Sequence, residues 1–180
     1  MEVEKTKIDG LLIIKPNVFK DSRGFFLESF NIEKYKKLFG SVSFVQDNLS
    51  HSMKNVLRGI HFQTPPFGQG KLVQVVQGEV LDVVVDLRSK SKTFGQHESF
   101  LLNDKNKHQL WIPEGFGHAF LTKADNTIFS YKCSNYYSTE HEATLLWNDP
   151  QLNIEWGVKN PILSEKDNEG KFLNEMQTYF

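Results

Sequence analysis

Leu57-Arg58-Gly59-Ile60-His61-Phe62-Gln63 sets a histidine and an arginine three residues apart in a strand-like run. Those are the residue types that proton abstraction from an anionic substrate requires. Neutral imidazole, with an ordinary pKa of about 6.5, accepts a proton near pH 7, and a guanidinium grips phosphate through forked hydrogen bonds. A histidine in an apolar strand is more often a packing residue, so the weight of this reading falls on what else the chain supplies.

It supplies further candidates, each with a plainer alternative. Asp21 to Glu28 places Arg23 and Glu28 around a turn and an aromatic strand, suited to gripping a phosphate and a polar ring edge, or simply to a surface ion pair. Gln46, Asp47 and Asn48, followed by Leu49-Ser50, read as a polar loop whose amides can hydrogen-bond a base or sugar. Lys71 opens an apolar strand; pointing inward, it would stabilise an oxyanion, an effect typically worth about a hundredfold to a thousandfold in rate. Pro113-Glu114-Gly115-Phe116-Gly117-His118 is a tight turn that delivers His118 to the start of a strand. Tyr131 lies in an alternating strand ahead of the aromatic and acidic loop from Tyr136 to Glu142, which carries Tyr137. A phenol, with an ordinary pKa near 10, is protonated at neutral pH and can donate.

Positioning these groups takes a scaffold, and the composition describes one. With 180 residues, 39% hydrophobic and 13% aromatic, residues 1–180 are expected to close a single domain. The lone Cys133 has no internal disulfide partner, which fits a reducing cytoplasm. The N-terminal segment is charged, and no apolar run approaches the roughly 18 residues that span a bilayer, so neither secretion nor a membrane partner is expected. With 21 basic and 22 acidic residues, the net charge of −1 offers nucleic acid no attraction.

Period-2 alternation predicts strands over 72–76, 80–88, 95–102, 109–112, 119–121 and 127–133. In 80–88, Leu81, Val83, Val85 and Leu87 form an apolar face, while Asp82, Asp86 and Arg88 alternate with valines on a face expected to meet a polar cavity or solvent. Many short strands favour a barrel or sandwich. One helix is predicted after Asn31, with Ile32, Tyr35, Leu38 and Phe39 as its stripe and Gly40 as its end. A second, of a turn or two, begins near Ser164 and stops before Gly170.

Taken in order, these blocks resemble the dTDP-4-dehydrorhamnose 3,5-epimerases. The similarity rests on Asp21-Ser22-Arg23-Gly24 with Glu28, Gln46-Asp47-Asn48 with Ser50, Leu57 to Gln63, Lys71-Leu72-Val73 and the stretch from Trp111 to Phe120. It continues through Tyr131, Tyr137 to Glu142, Trp147-Asn148-Asp149-Pro150 and Leu163 to Asp167. The resemblance implies a mainly β, cupin-type jelly-roll barrel, no cofactor and no metal, a dTDP-4-keto-6-deoxy sugar as substrate, and a homodimer whose N-terminal strands reach the partner. It implies His61 as general base oriented by Asp167, Tyr131 as general acid and Lys71 on the enolate. Arg23, Glu28, Gln46, Asp47, Asn48, Arg58, His118, Glu142 and Lys166 are implied on the nucleotide-sugar, with Tyr137 stacked on thymine. Two departures stand out: Gly117-His118-Ala119-Phe120 where the family commonly has Ala-His-Gly-Phe, and Thr139 where it usually has proline.

The implied reaction suits these residues, since the protons at C3 and C5 are both α to the C4 ketone and one base and one oxyanion partner can serve both. Inversion needs base and acid on opposite sides of the ring. Three other readings compete: inversion at C3 or C5 alone; a metal-dependent cupin holding its ion through His61, Gln63 and His118; and a non-catalytic nucleotide-sugar-binding protein. Against the metal, His61-Phe62-Gln63 lacks paired histidines, and glutamine is a poor transition-metal ligand.

Overall fold

The computed structural model describes residues 1–180 and is built mainly of strands. In chain order these are β1 (Glu2–Lys5), β2 (Leu12–Lys15), β3 (Val18–Asp21), β4 (Gly24–Leu27), β5 (Gln46–Ser52), β6 (Leu57–Gln63) and β7 (Lys71–Gln77). They continue as β8 (Glu79–Asp86), β9 (His97–Asn103), β10 (Gln109–Ile112), β11 (Phe116–Thr122), β12 (Thr127–Cys133) and β13 (Glu142–Thr144). Helix α1 covers Ile32–Phe39 and α2 covers Glu165–Asn168.

A six-stranded sheet runs β1-β2-β10-β7-β12-β5, a five-stranded sheet runs β13-β6-β11-β8-β9, and β3-β4 stands apart as a hairpin. Between the two larger sheets, Val73 and Val75 of β7 and Phe129 of β12 meet Val80 and Val84 of β8 and Phe116 and Phe120 of β11. Each such fully buried side chain contributes roughly 1.5–3 kcal/mol. A second core lies outside the five-stranded sheet, where Ile60, Val83 and Val85 are covered by Leu145, Leu152, Trp156 and Leu173 from the C-terminal segment. On the outside of the six-stranded sheet, Tyr35 of α1 packs with Ile14, Leu72 and Trp111. The architecture is the cupin-type barrel that the resemblance implies.

Both expected helices form. The Asn31 side chain accepts from the amides of Glu33 and Lys34, and Gly40 ends α1 at φ 72°; Ile32, however, lies 45% exposed, off the buried stripe. Ser164 caps α2 by accepting from the Asp167 amide. Two strand expectations need correction. Residues 46–50 are not a loop: β5 pairs along its whole length with β12, and strand alternation turns Gln46, Asn48 and Ser50 to one face. Of the charged face of the strand expected over 80–88, Asp82 bonds His118 on the cavity side and Arg88, partly exposed, lies beyond the strand's end. Asp82 and Asp86 are fully buried, and the strand stops at Asp86, whose carboxylate accepts from Arg88, Ser91 and Thr93.

The decisive local feature is in β6. Opposite β11, His61 faces His118 and Arg58 faces Phe120, so Gly59 and Ile60 together face the single residue Ala119. This is a β-bulge. In a regular strand, residues 58 and 61 would point to opposite faces; the extra residue returns them to the same one. Leu57, Ile60 and Phe62 all enter the outer core, and Arg58 and His61 both turn inward. Gly59 has φ 122°, and a Cβ there would lie 2.5 Å from that of Ala119, so both conformation and space demand glycine. The exchanged small residues around His118 fit the same packing: a Cβ at Gly117 would come within 2.7 Å of Ile60 Cγ2.

Candidate active site

Two neighbouring cavities of about 100 and 190 Å3 open between the sheets, and both are lined by His61, Lys71 and Tyr131. The smaller adds Gln46, Asn48, Gln63, Gln69, Tyr137 and Glu142, a set rich in amides. The larger adds Arg58, His118, Ser50, Ser164 and Asp167.

His61 Nε2 lies 2.5 Å from Asp167 Oδ1. Asp167 is buried at 3% exposure; its other oxygen accepts from Ser164 Oγ at 2.7 Å, and the Gly59 amide donates to Oδ1 at 3.3 Å. Burial alone would raise the pKa of this carboxyl, but the bond and charge of His61, the Ser164 hydroxyl and the Gly59 amide outweigh it, leaving it below the ordinary value. The imidazole moves down as well: burial disfavours its charged form more than Asp167 favours it. The pair is therefore a carboxylate and a neutral imidazole, which is the state of a base.

Lys71 is 9% exposed, and burial lowers its pKa against the partial support of Cys133, Asp82 and Glu142. Tyr131 is half buried, and loss of solvent raises its pKa, which keeps the phenol protonated. Arg58 is held by Ser52, whose Oγ accepts from the guanidinium Nε and Nη2 at 3.1 Å. His118 Nε2 lies 2.9 and 3.1 Å from the two oxygens of fully buried Asp82, which leaves Nδ1 as its free ring nitrogen.

At the mouth, Glu142 accepts from Tyr137 Oη at 2.9 Å and from Lys166 Nζ at 2.6 Å, tying the loop after β12 to α2. Gln63 anchors the same loop, donating to the carbonyls of Phe67 and Tyr136 and accepting from the Ser138 amide at 2.6 Å. These bonds hold the loop that carries Thr139 in place of proline. They also occupy both ends of the Gln63 amide, and no group of three or more His, Cys, Asp or Glu side chains forms a metal-binding cluster.

Three expected residues lie elsewhere. Asp47 points out of β5 to Lys132 at 2.9 Å, Arg23 pairs with Asp21 at 2.6 Å, and Glu28 pairs with Lys34 at 2.6 Å. Among groups that sequence reasoning left unassigned, Asp82, Ser52 and Ser164 hold His118, Arg58 and Asp167. Asp82 had the clearest signal, an acid on the inward side of a valine-rich strand.

The match to known proteins runs the length of the chain. The sequence profile of the dTDP-4-dehydrorhamnose 3,5-epimerases matches residues 5–175. The dTDP-4-dehydrorhamnose 3,5-epimerase of Shigella flexneri is 52% identical over 97% of this chain and 97% of its own. The crystal structure of dTDP-6-deoxy-D-glucose-3,5-epimerase from Legionella pneumophila, in complex with dTDP-4-keto-L-rhamnose, superposes with a TM-score of 0.94 at 47% identity, over 98% of this chain and 94% of that one. A 3'-monoepimerase from Streptomyces bikiniensis, in complex with dTDP-quinovose, superposes at 0.90 and 34% identity, over 94% and 86%. Fold and relatives thus define an enzyme of the isomerase class, a cupin-type epimerase. Within that class, the chain belongs to the dTDP-4-dehydrorhamnose 3,5-epimerase family.

Proposed function

We propose that the protein converts dTDP-4-dehydro-6-deoxy-D-glucose to dTDP-4-dehydro-L-rhamnose by inverting C3 and C5 through enolates, with no cofactor, as a single cytoplasmic domain. The observation that carries this reading is His61, held by buried Asp167, in a cavity shared with Lys71 and Tyr131. His61 removes the proton α to the ketone, and Asp167 stabilises the imidazolium that results. Lys71 receives the charge that develops on the C4 oxygen, and Tyr131 returns a proton to the carbon. His61 stands on β6 of one sheet and Tyr131 on β12 of the other, which suits attack and delivery on opposite sides of a ring held between them. General acid and base groups typically contribute about 10²- to 10⁴-fold each, so stabilisation of the enolate by Lys71 must supply much of the remainder.

The amide-rich cavity suits the thymidine, with Tyr137 on the base and Gln46, Asn48, Glu142 and Lys166 around it; Arg58 and His118 suit the diphosphate. Arg23 and Glu28 serve the same ligand from a partner copy. Arg23 sits on, and Glu28 just after, a hairpin whose Phe19, Phe25 and Phe26 are 61%, 55% and 70% exposed, an apolar surface that a homodimer would cover. Proton NMR of dTDP-4-dehydro-6-deoxyglucose with the protein in deuterium oxide tests the reaction. Deuterium at both C3 and C5 with double inversion is expected. Exchange confined to C3 or to C5 would replace the reading with a monoepimerase, and no exchange at either carbon would overturn it.

A further inference from the structure

Ser50 Oγ is the only buried side-chain nitrogen or oxygen of the chain that finds no hydrogen-bond partner. An unsatisfied buried hydroxyl is unfavourable, so one that persists calls for an explanation. Its position supplies one. Ser50 lines the larger cavity with His61, Lys71, Arg58 and Tyr131. It stands on the inward face of β5 between Asn48, which lines the smaller cavity, and Ser52, which holds the Arg58 guanidinium. Same-face neighbours on a strand are about 7 Å apart, so the hydroxyl sits one step from the anchor of the diphosphate arginine. Across the ladder it opposes Phe129, two residues from Tyr131.

We infer that Ser50 Oγ binds the C2 hydroxyl of the sugar, so that the enzyme selects 2-hydroxy over 2-deoxy sugars. This rests on the function proposed above. In a dTDP-4-keto-6-deoxyhexose, C1 carries the diphosphate, C4 the ketone and C6 a methyl, which leaves only the C2 and C3 hydroxyls for a group that both donates and accepts. The C3 hydroxyl changes direction when its carbon inverts. The C2 hydroxyl does not, and it is adjacent to the carbon that Arg58 secures through the diphosphate. A fixed serine therefore matches C2.

The test crosses one substitution with one missing hydroxyl: wild type and Ser50→Ala are each assayed with dTDP-4-dehydro-6-deoxyglucose and with its 2-deoxy analogue. A site built around a substrate hydroxyl discriminates against the analogue that lacks it. Wild type should show kcat/KM about tenfold lower on the analogue. Ser50→Ala should lose about tenfold on the 2-hydroxy substrate, little on the analogue, and nothing in thermal stability, because its removal relieves an unsatisfied group. Equal losses on both substrates, no loss on either, or a lowered melting temperature would overturn the inference. Wild type inactive on the 2-hydroxy sugar would instead overturn the proposed reaction.

Discussion

The cavity and the β3-β4 hairpin hold the same kinds of side chain in opposite ways. His61 meets Asp167 from 106 positions away, and His118 meets Asp82 from 36. On the hairpin, Arg23 pairs with Asp21 two residues off, and just beyond it Glu28 pairs with Lys34 of α1, six residues off. Pairs drawn from distant segments are fixed by the whole barrel. Arg23 and Asp21 fix only their own turn, Glu28 and Lys34 only the step from the hairpin to α1, and exposed ion pairs of this kind contribute little. Arg23, with 88% of its side chain exposed, can therefore exchange Asp21 for a ligand at small cost, whereas His61 cannot leave Asp167 without stranding a buried carboxylate.

Substitutions on the two sides should separate accordingly. The largest effect is expected for His61→Asn, which keeps a polar side chain beside Asp167 but removes the proposed base; kcat should fall about 10³- to 10⁴-fold in steady-state assays, with the melting temperature little changed. Asp167→Asn should lower kcat about 10²-fold with a smaller change in KM. It should also move the acid limb of the pH profile: Asp167 raises the His61 pKa against burial, so its loss leaves burial unopposed and shifts the limb to lower pH. In the wild type that limb should already lie below about 6.5. At the alkaline end Lys71 should titrate first, because burial lowers it while Tyr131 is raised. Activity should fall as the ammonium loses its proton below the ordinary lysine value of about 10.4, and Lys71→Arg should abolish that limb, since a guanidinium stays charged. The smallest effect should come from the hairpin. Arg23→Ala is expected to raise KM about tenfold with kcat and thermal stability nearly unchanged, while Phe26→Ser should shift the sedimentation coefficient towards that of the monomer.

The same contrast marks what could be read from the chain. Local signals carried well: Asn31 and Ser164 cap their helices, and period-2 alternation found the strands from β7 to β12. Lys71 and Tyr131 could be placed on strands, but only pairing across the barrel makes them face one cavity. Residues 46–50 escaped because a strand whose inward side chains are Gln46, Asn48 and Ser50 has no apolar period to detect; those residues are polar because they line the site. Asp82 was visible as an acid among valines, yet its partner lies on a neighbouring strand, beyond any local pattern. Asp167 entered only through family resemblance, since no spacing links it to His61.

The bulge at Gly59-Ile60 makes the site depend on a count as well as on chemistry. Remove one residue between Arg58 and His61, and every side chain survives in the sequence, yet the imidazole and the guanidinium would fall on opposite sides of a sheet, one of them among Leu145, Leu152 and Trp156. Two chains that differ by a single gap at this point would share the whole motif and differ in whether the motif can work. In this chain the parity of one strand is as much a part of the site as the histidine it carries.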